Sequence, residues 1–311
     1  MKLSLVVPAY NEEKAIEKVL DEALGYVDEV IVVDDGSKDN TAKIARSFIK
    51  EHKKSDNKNK EIKLISHAIN LGKAAALNTG VKNSSGEVVI FTDADDTYPC
   101  RHVPELIKEI ENGADLVIGS RFLPKPPKNM SFSHVFGNKL FSSLVSYISS
   151  TNITDSQSGM RAFRKEIFPQ IDVRAKSLEY EPKATARAAK LGYKIKEIPI
   201  AYRKRIGESK MHGLKDGFKI LFSLMSVAYG ETTLLARMIM IPSFLLALIG
   251  IIIAGFLIKD YLMIGIVKRP YYPLIAALSL IVSTQLFSLG LIIDNVAKKL
   301  SRMEETIRRK Q

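Results

Sequence analysis

Two long apolar runs near the C-terminus limit what this chain can fold into. Leu234 to Ile258 reads LLARMIMIPSFLLALIGIIIAGFLI, with Arg237 as its one charge, and Tyr272 to Ile293 carries none. A helix rising about 1.5 Å per residue crosses a hydrocarbon layer of about 30 Å in about 20 residues, and both runs are that long. Pro242, Gly250, Gly255 and Gly290 would weaken a soluble helix but are tolerated in a membrane one. The alternative, two buried helices of a soluble domain, lacks further C-terminal material to cover them. The sequence therefore predicts a transmembrane hairpin over 233–295, with spans at about 234–258 and 272–293.

A hairpin places the large N-terminal region and the tail on one side of the bilayer. The tail over 296–311 has six basic residues, while Lys268 and Arg269 mark the intervening loop less heavily. Positive residues favour the cytoplasm, which is where both termini are expected. The opening MKLSLVVPAYNEE has too short an apolar run for a signal peptide. Cys100 is the sole cysteine, so an intrachain disulfide and a cysteine-rich zinc site are excluded. The formal charge of +12 raises nucleic acid or an anionic membrane as partners. Much of that charge lies in the Lys50 to Lys63 stretch, read as a solvated linker or helix end, and in the tail, which fits anionic headgroups. No interleaving of basic and aromatic residues supports nucleic acid.

Before the apolar runs, strands and helices alternate. Leu3 to Val7 is a continuous apolar strand ended by Pro8, and a helix is expected from Asn11 to about Leu24. Strands follow at Glu29 to Val33, Ile62 to Ser66, Glu87 to Thr92 and Asp115 to Ile118, with helices at Thr41 to Lys50, Gly72 to Val81 and Val103 to Asn112. This order predicts an α/β domain over 1–212, with a mainly parallel sheet covered on both faces. Its polar clusters fall just after strand ends, where open α/β sheets bind ligands.

Asp93 and Asp95 form a D-x-D pair at one such exit. Alternate residues of an extended segment point the same way, so both carboxylates can approach one metal-diphosphate group. Oxygen ligands of this kind suit Mg²⁺ or Mn²⁺. Asp34-Asp35-Gly36-Ser37 ends an earlier strand and suggests a base or ribose contact through Asp35, with a structural turn as the alternative. Lys73 is a candidate phosphate ligand or a solvated surface lysine. Arg121, in Gly119-Ser120-Arg121, could bind phosphate in paired, charge-assisted bonds or simply pair with a carboxylate. Arg161 is read likewise, as phosphate ligand or structural ion pair, and neither Glu179 nor Glu181 can be assigned as a base from spacing. Tyr202 to Lys210 packs four bases into nine residues, a loop suited to a lipid phosphate and a nucleotide diphosphate. The 132–150 segment, with Phe132, Phe136, Leu140, Leu144 and Ile148 at four-residue spacing, is expected as an interfacial helix or as sheet packing. A second such helix, juxtamembrane and amphipathic, is expected over 213–232.

These motifs together resemble the family 2 glycosyltransferases, in the polyprenyl-phosphate branch that includes dolichyl-phosphate mannose and glucose synthases. The carriers are VVPAYNEE (Val6 to Glu13), VVDDGSKDNT (Val32 to Thr41), NLGKAAALNTG (Asn70 to Gly80), FTDADDTYP (Phe91 to Pro99), GSR (Gly119 to Arg121), DSQSGMRAF (Asp155 to Phe163) and GESK (Gly207 to Lys210). The resemblance covers roughly residues 3 to 225 and implies a GT-A fold. It also implies that Pro8, Tyr10, Glu12, Val33 and Asp35 line a nucleoside pocket. Asp93 and Asp95 would hold metal and diphosphate, with Ala94 adding backbone contacts. Arg121 and the Arg203 to Lys210 loop would be the phosphate-binding basics. Lys73 stays a candidate phosphate ligand, and Asp95, Arg121 and Arg203 are the expected catalytic set. Mannose synthases often carry DADLQ where this chain reads DADDT over Asp93 to Thr97, which leans toward glucose-like or N-acetylhexosamine-like donors. The absence of tryptophan excludes the Q-x-x-R-W motif of polymer-making members.

The implied partners are a UDP- or GDP-linked sugar, a polyprenyl phosphate and the bilayer; homo-oligomerisation stays open. The implied reaction is a single inverting displacement. A transferase acting on a lipid hydroxyl, with Asp155 as base, is the alternative enzyme, and a nucleotide-binding membrane scaffold the non-enzyme one.

Overall fold

The computed structural model describes residues 1–53, 60–127, 130–171, 179–206, 234–266 and 269–308, with 217, 220, 224 and 227. The chain divides into two compact units, Met1–Val227 and Ala228–Gln311.

In the first unit, β1 (Leu3–Ala9), β2 (Glu29–Asp34), β3 (Glu61–Ser66), β4 (Val88–Phe91), β5 (Leu116–Ser120), β6 (Arg161–Arg164) and β7 (Ile195–Pro199) form one sheet in the order β3-β2-β1-β4-β6-β5-β7. All pairings are parallel except those of β6, which runs antiparallel to both β4 and β5. Successive side chains of β1 alternate between two apolar layers, as a pleated strand requires. Leu5 and Val7 pack with α1 (Ile16–Leu24), α2 (Thr41–His52) and α4 (Val103–Glu111). Val6 faces the other way, in a layer with Leu77 of α3 (Lys73–Asn83), Phe168 of α6 (Phe168–Ile171) and Tyr180 of α7 (Tyr180–Lys190). Burial on both faces is why β2, β4 and β5 read as largely apolar runs.

Three expectations change in detail. The first helix starts at Ile16 rather than near Asn11. Asn11 takes φ 52, and the backbone N–H groups of Asn11, Glu12 and Glu13 donate to Ser37 Oγ, Thr41 Oγ1 and Asp39 Oδ2 on the neighbouring loop. Those amides are tied to the next strand's exit instead of opening a helix. Second, β6 and β7 complete the sheet beyond the five strands expected. Third, α5 (Phe132–Ser149) is two-sided: Val145 packs with Ile153, Ala186, Ile220 and Leu224, while Phe136, Leu140 and Tyr147 are exposed. The expected helix over 213–232 lies mostly outside the described residues.

The second unit consists of α8 (Leu234–Ile264) and α9 (Tyr272–Arg308). They pack antiparallel: Phe287 meets Phe244 edge to face, Ser283 Oγ donates to Ser243 O at 2.8 Å, and Leu280 lies against Gly250. Met238–Met263 and Tyr272–Asp294 are long and apolar enough to cross a membrane.

Candidate functional site

The exits of β1, β2 and β4 lie side by side in the sheet, so their loops converge. The β2 exit is built around Asp35. Its carboxylate accepts the backbone N–H groups of Leu71 (2.9 Å) and Gly72 (2.8 Å), and Oδ1 lies 2.7 Å from His67 Nδ1. Gly72 has φ 94, a backbone conformation that glycine adopts without steric cost. Asp35 thereby fixes the turn leading into α3, a structural task alongside the nucleoside contact expected of it. Pro8 and Tyr10 are partly exposed at the β1 exit, whereas Val33 is fully buried.

The β4 exit carries the D-x-D pair. Asp93 Oδ1 meets Lys73 Nζ at 2.6 Å, and the same ammonium meets Glu181 Oε1 at 2.5 Å. Burial alone would lower the Lys73 pKa, but the charges of Asp93 and Glu181 outweigh it and raise it. Asp95 Oδ1 accepts Thr97 Oγ1 (2.6 Å) and Thr97 N (3.1 Å), while Oδ2 faces Arg205 Nη1 at 3.1 Å. Arg205 in turn reaches Glu12 Oε1 at 2.6 Å. Burial first, and then the neighbouring Asp93 charge, push the Asp95 carboxyl above the usual range, against the pull of Thr97 and Arg205.

Asp96, buried with φ 60, binds Lys18 at 2.5 Å and Arg203 Nη1 at 2.7 Å, and Arg203 also pairs with Glu22. The backbone of the same segment is tied down, since Arg203 N donates to Thr97 O and Ile206 N to Asp95 O. Gly159 closes the other side: a Cβ there would lie 2.7 Å from Asp93 Oδ2. Its N–H donates to Tyr98 Oη at 3.0 Å.

Other arginines are occupied. Arg121 donates through Nε and Nη2 to both oxygens of the fully buried Asp155 (2.7 and 2.8 Å), with Tyr202 packed on its guanidinium. This is the carboxylate partner that the sequence left as the alternative to phosphate. Arg161, 2% exposed, donates to the carbonyls of Ser156, Ser158 and Glu181 and to Thr185 Oγ1, so it is neither of the two things expected. Lys210 lies outside the described residues. Sequence reasoning left Glu181 unassigned and gave Asp96 no partner; their cations come from distant parts of the chain, and no local pattern marks them.

Charge counting tests the fit of a divalent cation. Lys73 faces two carboxylates, Asp93 and Glu181, and Arg205 faces two, Asp95 and Glu12. The Lys73 group is one negative charge in excess, which favours an added cation there. No group of three or more His, Cys, Asp or Glu that could hold a metal occurs among the described residues. An all-oxygen pair of this kind fits Mg²⁺ or Mn²⁺, which take remaining ligands from phosphate and water.

The family model for glycosyl transferase family 2 matches residues 4–172. This chain is 33% identical over 232 residues to a dolichyl-phosphate hexose transferase of Haloferax volcanii, covering 74% of this chain and 95% of that one. It is also 33% identical over 241 residues to a UDP-N-acetylglucosamine–dolichyl-phosphate N-acetylglucosaminyltransferase of Methanococcus voltae, covering 73% of this chain and 96% of that one. A mannosyltransferase of Pyrobaculum calidifontis, solved with GDP-Man and Mn²⁺, superposes with a TM-score of 0.55 at 18% identity over 98% of this chain and 80% of that one. The chain belongs to the family 2 glycosyltransferases, and its first unit has the GT-A fold.

Proposed function

We propose that this chain transfers a hexose or N-acetylhexosamine from a nucleotide diphosphate sugar to a polyprenyl phosphate at a membrane surface. The observation that carries the reading is the Asp93–Asp95 pair at the β4 exit, Asp93 facing Lys73 and Asp95 facing Arg205. Kinship supports the acceptor class, since both relatives are named for dolichyl phosphate.

In this reading Pro8, Tyr10, Glu12, Val33 and Asp35 form the nucleoside side of the site. Asp93, Ala94 and Asp95 hold the metal-diphosphate group, with Lys73 beside them. Arg203 and Lys210 belong to the segment that meets the acceptor phosphate, and Arg121 positions the 155–160 turn through Asp155. A phosphate monoester, with a second pKa near about 6, is already largely anionic at neutral pH. It needs no strong general base, so the chain's contribution is alignment and charge. The acceptor oxygen bonds to the anomeric carbon as the bond to the diphosphate breaks, which inverts the configuration. A bound Mg²⁺ or Mn²⁺ supplies positive charge to the leaving diphosphate. A lipid-hydroxyl acceptor would need a carboxylate base, and Asp155 gives that reading no support because Arg121 takes both its oxygens.

The two apolar helices serve as the anchor, with both termini cytoplasmic. Exposed Phe136, Leu140 and Tyr147 support an interfacial role for α5.

The test is a panel of UDP- and GDP-sugars offered with a short polyprenyl phosphate or with diacylglycerol, read by product mass and anomeric configuration. Transfer to the phosphate with inversion is expected. Asp95→Ala should keep the fold and lower turnover by roughly a hundredfold or more. Retained configuration, or near-normal turnover of the variant at saturating Mg²⁺, contradicts the mechanism.

A further inference from the structure

We propose that Lys73 and Arg205 are exchangeable counter-cations of Asp93 and Asp95, and that Glu181 and Glu12 are positioning residues that retain them when a divalent ion takes the D-x-D pair. The inference rests on reading Asp93 and Asp95 as the carboxylates that hold the metal.

Both cations are shared in the same way. Lys73 Nζ sits between Asp93 (2.6 Å) and Glu181 (2.5 Å), and the Arg205 guanidinium between Asp95 (3.1 Å) and Glu12 (2.6 Å). Each therefore has a second carboxylate to hold it if the first is taken away. Arg205 is also incompletely satisfied: its buried Nε has no hydrogen-bond partner among the described residues. Such an unmet donor in a buried site disfavours the present arrangement and lowers the cost of leaving it. Movement of the whole segment is not needed, because Arg203 N and Ile206 N pin its backbone to Thr97 O and Asp95 O. A side-chain rotation is enough.

The neighbouring Arg203 is a useful contrast. With Lys18 it balances Glu22 and Asp96, two cations against two carboxylates, so no charge deficit favours its replacement. Lys73, by contrast, is one cation facing two carboxylates, Asp93 and Glu181. Without resident cations, two anions two residues apart in a buried loop would repel. With them the site stays assembled while empty, and each cation, once released, remains beside the incoming diphosphate.

The test is Mn²⁺ binding to the full chain in detergent without any sugar nucleotide, read from the electron paramagnetic resonance signal of free Mn²⁺. Lys73→Met and Arg205→Met should each bind Mn²⁺ roughly tenfold more tightly than the natural chain, because a competing charge is gone. Glu181→Gln and Glu12→Gln should bind it more weakly, since each cation is then left to the D-x-D residue alone. The Glu181→Gln effect must vanish in a Lys73→Met background. That double variant also guards against misfolding from an unpaired Glu181, and it too should bind more tightly than the natural chain.

Unchanged or weaker binding in the Lys73 and Arg205 variants overturns the proposal. So does a Glu181→Gln loss that persists without Lys73, which would make Glu181 a direct ligand. Asp93→Asn with Asp95→Asn separates the two readings. If that pair abolishes binding while the cation variants change nothing, only the exchange fails; if it leaves Mn²⁺ binding intact, the metal site itself is elsewhere.

Discussion

Glu29 is fully buried at the start of β2, yet its carboxylate is well served: it accepts the Lys63 ammonium at 2.7 Å, the Ser85 N–H at 2.8 Å and the Ser4 hydroxyl. Burial opposes ionisation here, but these bonds win and lower the pKa from 4.5 to about 2. The unfolded chain therefore binds a proton before the folded one does as pH falls. The stabilisation is complete above pH 4.5 and is lost as pH drops toward 2. At neutral pH it amounts to roughly 3 kcal/mol. Glu29→Gln should unfold at lower urea concentration at pH 7 and show a flatter stability profile across that acid range, as followed by circular dichroism. A variant that keeps the natural slope would place the acid sensitivity in another carboxylate. Asp35 makes the same point about residues near the site: a side chain expected to meet ligand also holds the turn into α3, through Leu71 and Gly72. Sequence identifies the chemical group and not what it touches.

The short loop after β4 is where element and chemistry meet, and Thr97 is its internal brace. Two bonds from Thr97 hold Asp95 Oδ1, one from the hydroxyl at 2.6 Å and one from the amide at 3.1 Å. Thr97→Val keeps the shape and the amide bond but removes the hydroxyl. Loss of one such bond is worth roughly 1 kcal/mol, so turnover should fall about fivefold with thermal stability little changed. A turnover equal to that of the natural chain would reduce Thr97 to packing. At this scale β1, β2, β4 and β5 were legible because burial on both faces leaves largely apolar runs, and the β1, β2 and β4 exits followed from their polar ends. The start of α1 was not, because the 11–13 amides are taken by side chains of another loop. Nor was β6, four residues reading RAFR, which is a strand only because β4 and β5 lie on either side of it. The cation partners of the D-x-D pair were hidden for the same reason: Lys73 and Arg205 come from separate elements, and only the folded sheet brings them to one loop.

For the whole molecule, parity decides topology. In the proposed hairpin, two crossings return the chain to its starting side, so both ends share a compartment whatever the absolute orientation. In that reading the basic residues choose which: the stretch beyond the second apolar span carries six against the loop's Lys268 and Arg269. Cysteine labelling suits this protein because its single thiol is inert. Cys100 is 1% exposed, and burial pushes its pKa up to about 12, so almost no thiolate is available. In sealed right-side-out vesicles, a membrane-impermeant maleimide should leave Lys2→Cys and Gln311→Cys unlabelled until the bilayer is opened. Ile266→Cys, at a loop position 66% exposed between the helices, should react from outside without permeabilisation. Its substitution leaves Lys268 and Arg269 in place, so the charge balance that sets orientation is untouched. Opposite labelling of the two ends would mean that only one helix crosses, and the hairpin anchor would have to be abandoned. Both ends reacting from outside, with position 266 protected, would keep the hairpin but reverse it, placing the D-x-D loop away from cytoplasmic nucleotide sugars.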